Sequence, residues 1–190
     1  VIDEVKTSGN LCIKRPWPSI ARTIYGDHER YRETYFSTYP GYYFTGDGAK
    51  RQDNGYLRIT GRVDDVINVS GHRIGTAEVE DAINTHDSVV ESAVVGFPHE
   101  IKGQGIFAYI IPAKEVSDVE SFSKEINAVI SKMIGPFSKT DQIKIVSGLP
   151  KTRSGKIMRR ILRKVAAGET DNLGDTSTLL NPEIVDELLK

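Results

Sequence analysis

The stretch Val89-Val-Glu-Ser-Ala-Val-Val-Gly-Phe97, followed by Ile106-Phe-Ala-Tyr-Ile-Ile111, decides the fold. Both runs are short and rich in β-branched and aromatic side chains, so both are predicted as strands, and Pro112 ends the second. Around them, predicted helices alternate with further short strands. This alternation predicts an α+β domain, a small mixed sheet with helices packed against it.

The other predicted elements follow from periodicity and from capping residues. A capping box at Ser117 and Glu120 begins a helix with one apolar stripe, which Gly135-Pro136 ends. Asn181-Pro182 is predicted to cap a last short helix. The remaining strands are predicted at 10–14, 56–60, 65–70 and 142–146, the remaining helices at 19–25, 76–86 and 157–167, and a glycine-bounded loop at 71–75.

The first sixty residues differ in composition from the rest. They contain Trp17 and every tyrosine except Tyr109, yet their helix and strand patterns are short and broken. Aromatic density without regular periodicity is typical of a segment buried against something else. We therefore expect residues 1–63 to be the end of a larger domain whose body lies upstream, and residues 64–190 to be a small C-terminal domain.

Composition excludes several classes of protein. The chain of 190 residues has no run of 18 apolar residues, so no membrane span is expected. Val1 is not followed by a signal-peptide pattern, and a single cysteine, Cys12, excludes an internal disulfide and a multi-cysteine zinc site. A reducing, cytoplasmic compartment is the expectation.

Charge is unevenly distributed along a nearly neutral chain. Residues 139–164 carry nine lysines and arginines and one acid, Asp141, which gives a local net charge of +8. An anionic ligand is expected nearby. The stretch has no aromatic residue to stack on bases, so nucleic acid is not the expected partner. It is also no nucleotide P-loop, because six residues, not four, separate Gly148 from Gly155, and Ile157 replaces the Ser or Thr.

Four polar clusters stand out in the sequence, and two of them carry groups suited to binding a sugar or a phosphate. A carboxylate between glycines, as at Asp47, can accept hydrogen bonds from sugar hydroxyls, and a Ser-Gly-His-Arg loop offers N–H groups and a guanidinium to a phosphate. Each cluster also has a structural interpretation: a turn at Asp47, a β-turn at Gly61, a solvated loop or a solvated basic helix. The clusters are Tyr43-Phe-Thr-Gly-Asp-Gly48, Thr60-Gly-Arg-Val-Asp-Asp65, Val69-Ser-Gly-His-Arg-Ile-Gly75 and Leu149-Pro-Lys-Thr-Arg-Ser-Gly-Lys-Ile-Met-Arg-Arg160.

Together and in this order, the four clusters closely resemble the adenylate-forming superfamily of acyl-CoA synthetases and luciferases. Within that superfamily, the residues of the four clusters are similar to those of the family of AMP-forming acetyl-CoA synthetases. The resemblance covers essentially the whole chain and also rests on Pro16-Trp17-Pro18, Gly96-Phe-Pro-His99 and Gly174-Asp-Thr-Ser-Thr178. It implies that the chain is the C-terminal third of a longer enzyme, in which a large N-terminal and a small C-terminal domain meet at the active site.

The resemblance also implies roles in nucleotide binding and in adenylation. Asp47 matches the carboxylate that holds the AMP ribose, and Arg62 and Arg73 match arginines that face the nucleotide and its phosphates. Asp64 matches the hinge about which the small domain turns. Lys156 matches the lysine that acts in the adenylation step, and we expect it to be accessible to a lysine acetyltransferase or deacetylase.

A second set of roles concerns CoA and a cation. Ser70 and Gly71 match the loop that approaches CoA. Relatives often carry an arginine for the 3′-phosphate of CoA where this chain has Ser131, so Lys132 is the substitute here. A structural cation in relatives matches Asn84, His86 and Val89, although a histidine at a helix C-terminus is also a capping residue.

The implied reaction converts acetate, ATP and CoA, with Mg²⁺, to acetyl-CoA, AMP and pyrophosphate through acetyl-adenylate. Since the family places the adenine, phosphate and acyl pockets upstream, the chain alone is expected to be inactive. Three alternatives stay open: a propionyl-type acyl-CoA synthetase, a non-catalytic basic module for anionic partners, and a structural or regulatory fragment.

Overall fold

The computed structural model describes residue 4, residues 7–171 and residues 173–190. The chain divides into two units, Val1–Asp64 and Asp65–Lys190, which are called unit 1 and unit 2. Both contain strands and helices, which confirms the predicted α+β class. Within the described part of the chain, no helix is both long and apolar enough to cross a membrane.

Unit 1 is a three-stranded antiparallel sheet with one helix. Its elements are β1 (Ser8–Ile13), α1 (His28–Phe36), β2 (Tyr43–Arg51) and β3 (Leu57–Arg62), and the strand order is β1-β2-β3. A tight turn at Asp53-Asn-Gly55 joins β2 to β3, where Gly55 has a φ of 81° and Asn54 accepts a hydrogen bond from the Tyr56 N–H at 3.0 Å.

The aromatic residues of unit 1 pack α1 onto β2. The rings of Tyr35 and Tyr43 stack with centroids 4.9 Å apart, and Trp17 and Phe36 meet the edge or face of Tyr43 at 5.2 and 5.6 Å. Burial raises the pKa of the Tyr43 hydroxyl. The rings therefore supply the packing that an aliphatic stripe supplies in other helices.

The helix predicted at 19–25 is wrong, and the helix that forms nearby was not predicted. Residues 19–25 contain only turns and irregular backbone, while α1 begins after Asp27, whose side chain accepts a hydrogen bond from the Arg30 N–H at 3.1 Å. Ile20, Thr23 and Ile24 are β-branched and disfavour a short helix, whereas Asp is a strong N-cap.

Unit 2 is a five-stranded sheet covered on both faces by helices. The strand order is β5-β4-β7-β6, and β8 pairs in parallel with β7. The elements are β4 (Val66–Val69), β5 (His72–Gly75), α2 (Thr76–Asn84), β6 (Val89–His99), β7 (Gly103–Pro112), α3 (Val119–Met133), β8 (Gln142–Ile145), α4 (Arg159–Ala166) and α5 (Ile184–Leu188), with 3₁₀ turns at Val63–Asp65 and Pro136–Ser138.

Alternate residues of β6 and β7 point into two separate cores. Val94, Ile106 and Ile110 belong to one core, which includes Ile83 of α2 and Ile126 of α3. The intervening residues belong to a second core with α4 and α5, formed by Ala93, Val95, Phe107, Tyr109, Val146, Leu149, Leu162, Ile184 and Leu188. A strand buried on both faces has no polar face, which is why these two strands read as almost continuous apolar runs.

Three of the sequence predictions for unit 2 are wrong. The predicted loop at 71–75 is strand β5, paired with β4 from Val66↔Gly75 to Val69↔His72. The N-cap of α3 is Asp118, not Ser117, because the Asp118 carboxylate accepts the Ser121 N–H at 2.9 Å. Asn181 is not the cap of α5, which begins after Glu183, and its side chain is bound elsewhere.

A buried ion pair fastens α4 to α2 and β6. The Glu80 carboxylate accepts two hydrogen bonds from Arg159 Nη2, at 2.9 and 2.7 Å, and one from the Val94 N–H at 2.7 Å. Only 11% of the Glu80 side chain is exposed. Burial raises the pKa of Glu80, and the Val94 N–H and Arg159 oppose that rise. The pair therefore depends on both partners being present.

A second ion pair joins α4 to the start of unit 2. Arg163 Nη1 lies 3.0 Å from Asp65 Oδ1, and 15% of the Asp65 side chain is exposed. Both Arg159 and Arg163 belong to the basic stretch at residues 139–164, whose charge predicts an anionic ligand nearby. In the structure, these two cations neutralise acids of the protein itself.

Arg159→Met should destabilise unit 2 by about 3–5 kcal/mol, because it leaves the Glu80 carboxylate buried without its cation. Burial without the cation raises the pKa of Glu80 in the folded variant further above its value in the unfolded chain. The free energy of unfolding of the variant therefore falls as the pH rises from the unfolded-state pKa through the folded-state pKa. The loss should therefore be smaller at about pH 5 than at about pH 8. Urea unfolding followed by far-ultraviolet circular dichroism measures it, since four of the five α-helices described lie in unit 2.

The matched control is Lys124→Met, which breaks an ion pair whose side chains are 74% and 80% exposed. Such a pair contributes about 0.3–0.5 kcal/mol, so this variant should unfold close to the unsubstituted chain. Equal losses in the two variants would show that burial of the Glu80 pair has no special weight.

Candidate active site

Asp47 and Arg62 lie opposite each other on the paired strands β2 and β3. Their Cα atoms are register partners, and Arg62 Nη1 lies 3.8 Å from Asp47 Oδ1. Thr45 orders the start of this strand, since its hydroxyl donates to the Leu11 carbonyl at 3.0 Å and accepts the Asp47 N–H at 3.1 Å. Asp47 and Gly61 are thus both strand residues. The alternative interpretations, a turn at Asp47 and a β-turn at Gly61, are therefore wrong.

The Arg62 guanidinium links three parts of unit 1. Its Nε donates to Asp64 Oδ1 at 2.9 Å, and its Nη1 donates to the Thr45 carbonyl at 3.2 Å. Gly46 makes this approach possible, because a Cβ atom there would lie 2.7 Å from Arg62 Nη1, and its φ is +78°. The predicted ribose, nucleotide and hinge residues Asp47, Arg62 and Asp64 therefore form one cluster.

Ser70 and Gly71 form the two-residue turn between β4 and β5. Both have positive φ, 49° and 88°, as a type I′ hairpin turn requires, and Ser70 is the only non-glycine with positive φ in the described part of the chain. The Ser70 N–H donates to the Lys102 carbonyl at 3.1 Å, which fixes the turn to the start of β7. A serine in this conformation is strained, and the hairpin geometry holds it there.

The Ser70-Gly71 turn lies beside the C-terminal end of α3. The His72 ring stacks on Phe137, with centroids 4.5 Å apart and planes 16° apart, and Phe137 lies in the 3₁₀ turn Pro136–Ser138 that comes after α3. Lys132 lies in the last turn of α3 and is exposed. Arg73, the next residue along β5, is exposed too. The His72–Phe137 stack thus joins β5, which begins directly after the Ser70-Gly71 turn, to the segment that follows the helix carrying Lys132.

Lys156 stands at the end of a small hairpin before α4. Its N–H donates to Thr152 Oγ1 at 3.1 Å and its carbonyl accepts the Thr152 N–H at 2.8 Å. Lys151 pairs with Ile157, and Gly155, with a φ of 80°, allows the chain to reverse. The Lys156 side chain is exposed. Within the described residues, no hydrogen bond, ion pair or ring contact joins this hairpin to the Ser70-Gly71 turn.

Asn84, His86 and Val89 lie around the C-terminal end of α2. The Asn84 side-chain oxygen accepts the Ser92 hydroxyl at 2.9 Å, and the His86 carbonyl accepts the Val89 N–H at 2.9 Å. His86 Nδ1 accepts the Ser88 N–H at 3.3 Å, so a neutral ring carries its hydrogen on Nε2, which lies 3.6 Å from Glu125 Oε2. In this arrangement neither ring nitrogen offers a lone pair to a cation.

Two side chains near Lys156 were missed as candidates in the sequence. Glu80 lies in the buried stripe of α2 with Thr76 and Ile83, at spacings of four and three residues. An acid inside an apolar stripe signals a buried partner, which here is Arg159. Asn181 gave no comparable signal, because its partners are backbone groups of Leu149 and Lys151, far away in sequence.

Known proteins share both the sequence and the fold of this chain. Residues 78–156 match the family model for the AMP-binding enzyme C-terminal domain. Over 187 residues, 98% of the chain, it is 63% identical to acetyl-coenzyme A synthetase of Alkalilimnicola ehrlichii and 61% identical to that of Bradyrhizobium diazoefficiens. The chain spans about 29% of the length of both relatives.

Solved structures of related enzymes have the same fold. The anthranilate CoA ligase AuaEII, in complex with anthranoyl-AMP, is 28% identical with a TM-score of 0.75 over 86% of this chain and 31% of its own. Acetoacetyl-CoA synthetase from Streptomyces lividans, 23% identical, shares the fold with a TM-score of 0.82 over 98% of this chain and 28% of its own. The chain therefore belongs to the adenylate-forming acyl-CoA synthetase superfamily, whose AMP-binding enzyme C-terminal domain it contains.

Proposed function

We propose that this chain is the C-terminal part of an acetate–CoA ligase that works in the cytoplasm. The complete enzyme would make acetyl-CoA from acetate, ATP and CoA through acetyl-adenylate, with release of AMP and pyrophosphate. One observation carries this proposal: the 63% identity extends over 98% of the chain, including both the Asp47–Arg62 cluster and the Lys156 hairpin. Residues 1–63 would belong to the large domain and residues 64–190 to the small one.

In the proposed adenylation step, a carboxylate oxygen of acetate attacks the α-phosphorus of ATP, and the bond to pyrophosphate breaks. Asp47 would hold the ribose hydroxyls, since its side chain is one-third exposed and an ionised carboxylate is a strong acceptor. Arg62 and Arg73 would face the nucleotide and its phosphates. The contact of Arg62 with Asp64 supports the idea that nucleotide binding and the hinge are coupled.

Lys156 would bring a positive charge to the reacting groups in that step. Negative charge gathers on the α-phosphoryl oxygens as the carboxylate approaches, and an ammonium there stabilises the transition state. The exposed side chain on an ordered hairpin supports this role. The same exposure supports access by a lysine acetyltransferase, and acetylation would remove the charge.

In the proposed second step, the CoA thiol attacks the acyl carbon and loses its proton to solvent, and AMP leaves. Ser70 and Gly71 would line the approach of CoA, and Lys132 would bind its 3′-phosphate. The stack of His72, which follows the Ser70-Gly71 turn, on Phe137, which lies four residues after α3, supports a single CoA site. A turn of the small domain about Asp64 would exchange the Lys156 hairpin for the Ser70-Gly71 turn between the steps.

Mg²⁺ would enter with ATP, where it offsets the charge of the phosphates. Among the described residues, no group of three or more His, Cys, Asp or Glu side chains could hold a metal ion. A cation at Asn84, His86 and Val89 would require the His86 ring to give up its contact with the Ser88 N–H.

The charge pairing in unit 2 weakens the alternative of a basic binding module. Besides Arg159 and Arg163, Lys151 binds Glu91 at 2.7 Å, and Lys144 and Arg160 donate to backbone carbonyls. At least five of the nine cations in residues 139–164 thus have partners within the protein. The propionyl-type alternative concerns an acyl pocket that the family places upstream.

Lys156→Ala should lower the rate of adenylation about 10²–10³-fold, because a charge on the transition state is lost. It should leave thioester formation from supplied acetyl-adenylate and CoA unchanged. The test joins this chain to the upstream part of the Alkalilimnicola ehrlichii relative and measures pyrophosphate exchange beside thioester formation. Lys156→Gln, which mimics acetylation, should behave in the same way.

Arg153→Ala is the matched control, since Arg153 is an exposed cation in the same hairpin. It should retain both half-reactions. Equal losses of both half-reactions in Lys156→Ala would contradict a role confined to adenylation. Acetyl-CoA formation by the 190-residue chain alone, at the rate of the joined enzyme, would contradict the proposal that the upstream part is needed.

Asp47→Ala should weaken the binding of ATP and of AMP together in the joined enzyme. A hydrogen bond to an ionised group contributes roughly 1.5–3 kcal/mol, so losing the ribose contacts should cost about ten- to a hundredfold in affinity. Isothermal titration calorimetry measures both ligands. Asp53→Ala removes an acid from the β2–β3 turn instead and should bind normally; unchanged affinity in Asp47→Ala would refute the ribose role.

Gly46→Ala should weaken ATP binding about tenfold or more, because its Cβ would displace the Arg62 guanidinium from its partners. Gly41→Ala is the control for backbone strain: Gly41 has a similar φ of +83°, but no atom lies within 4 Å of its added Cβ. Both variants should lose stability, and only Gly46→Ala should lose affinity. Comparable affinities in the two variants would mean that the orientation of Arg62 does not matter.

A further inference from the structure

We propose that Asn181 is a positioning residue for adenylation, which fixes the hairpin that carries Lys156 without touching substrate. This inference rests on the proposed function of Lys156. Asn181 lies 25 residues beyond Lys156 in the sequence, in the segment that leads into α5. Its side chain reaches the entrance of the hairpin.

The Asn181 amide binds the backbone on both sides of Pro150. Its Oδ1 accepts the Lys151 N–H at 3.1 Å, and its Nδ2 donates to the Leu149 carbonyl at 2.9 Å. One partner is a donor and the other an acceptor, so the orientation of the amide is determined. Pro150 has no N–H of its own to hold this part of the chain. Asn181 therefore holds the Leu149 carbonyl and the Lys151 N–H, while the Pro150 carbonyl between them accepts the Met158 N–H at 2.7 Å.

Neighbouring residues extend this connection as a short antiparallel pairing. The Leu180 N–H donates to the Lys151 carbonyl at 2.8 Å, and Leu179 pairs with Thr152. Thr152 then binds both the N–H and the carbonyl of Lys156. Asn181 is thus connected to the backbone of Lys156 by hydrogen bonds to Lys151 and from Thr152, which are neighbours in the chain.

The segment that carries Asn181 is itself firmly attached to unit 2. Leu179, Ile184 and Leu188 are buried, and the latter two pack in the core that contains Leu149 and Leu162. The Asn181 carbonyl accepts the Ile184 N–H at 3.2 Å, which ties it to the start of α5. The Asn181 amide therefore connects the hairpin to a segment whose neighbouring side chains are packed in the core.

Lys156 needs this support because its own side chain has none. Within the described part of the chain, its ammonium has no hydrogen-bond or ion-pair partner, so the backbone of the hairpin sets where the charge can reach. Adenylation requires the ammonium beside the reacting phosphoryl group, and a misplacement of about 1 Å can cost about a hundredfold in rate. Thioester formation, in the proposed mechanism, does not use Lys156.

Asn181→Asp tests this inference in the joined enzyme. Aspartate keeps an acceptor for the Lys151 N–H but places a carboxylate oxygen against the Leu149 carbonyl. We expect pyrophosphate exchange to fall about ten- to a hundredfold, mainly in kcat, and thioester formation from supplied acetyl-adenylate to stay unchanged. The matched control is Glu187→Gln, in the same C-terminal segment, where Glu187 holds the N–H and hydroxyl of Ser147 outside the hairpin. It should retain both half-reactions.

The outcomes separate this inference from the proposed function. If Lys156→Ala lowers adenylation and Asn181→Asp does not, the positioning role is wrong and the proposed function stands. If Asn181→Asp lowers both half-reactions equally, Asn181 is a purely structural residue and the inference is overturned. If Lys156→Ala leaves adenylation intact, the proposed function itself fails.

Hydrogen exchange in the unsubstituted 190-residue chain tests the geometry even if Asn181→Asp does not fold. The amides of Lys151 and Lys156, which both donate hydrogen bonds, should exchange more slowly than that of Ser154 at the hairpin turn. Exchange of the Lys151 and Lys156 amides at the rate of an unstructured peptide would overturn the inference.

Discussion

The two-sided burial of strands β6 and β7 is the constraint on which the rest of unit 2 depends. Successive side chains of each strand must fill different cores, one closed by α2 and α3 and the other by α4 and α5. A shift of one residue in register would exchange the two sets, so the register is strongly specified. The candidate functional segments are attached to this frame: the Ser70-Gly71 turn through Lys102, and the Lys156 hairpin through Leu149 and Leu162.

Charge adds a second level of order to this apolar frame. Glu80 and Arg159 are both largely buried, and each would be costly there without the other. Together with Asp65 and Arg163, the pair decides how α4 lies on the sheet. Much of the basic stretch therefore has a structural role. Lys156 lies in the same stretch, four residues before Arg160, and keeps its side chain exposed. Position in the fold, not local charge, separates the two roles.

The two proposed half-reactions place different demands on the same small unit. One needs an exposed ammonium held in a defined place, and the other needs backbone that CoA can approach closely. The fold meets these demands with two rigid hairpins: a strained type I′ turn at Ser70-Gly71 and a hydrogen-bonded reversal before Lys156. In the proposed mechanism the small domain turns near Asp64, with which Arg62 makes a contact within unit 1.

The sequence by itself determined the α+β class, the strands β6 and β7, the helix α3 and the identity of the family, because these depend on periodicity and on motifs of neighbouring residues. It did not determine α1 or β2, whose packing depends on aromatic rings from separate segments, and it predicted a loop where β5 forms. Only the tertiary structure decided that Arg159 pairs with Glu80 and that Asn181 binds beside Pro150. The physical reason is that these contacts join residues far apart in the chain, 79 positions for Arg159 and Glu80 and 30 positions for Asn181 and Lys151. A local sequence pattern shows which face of an element is apolar, but it does not show which distant polar group that element will contact.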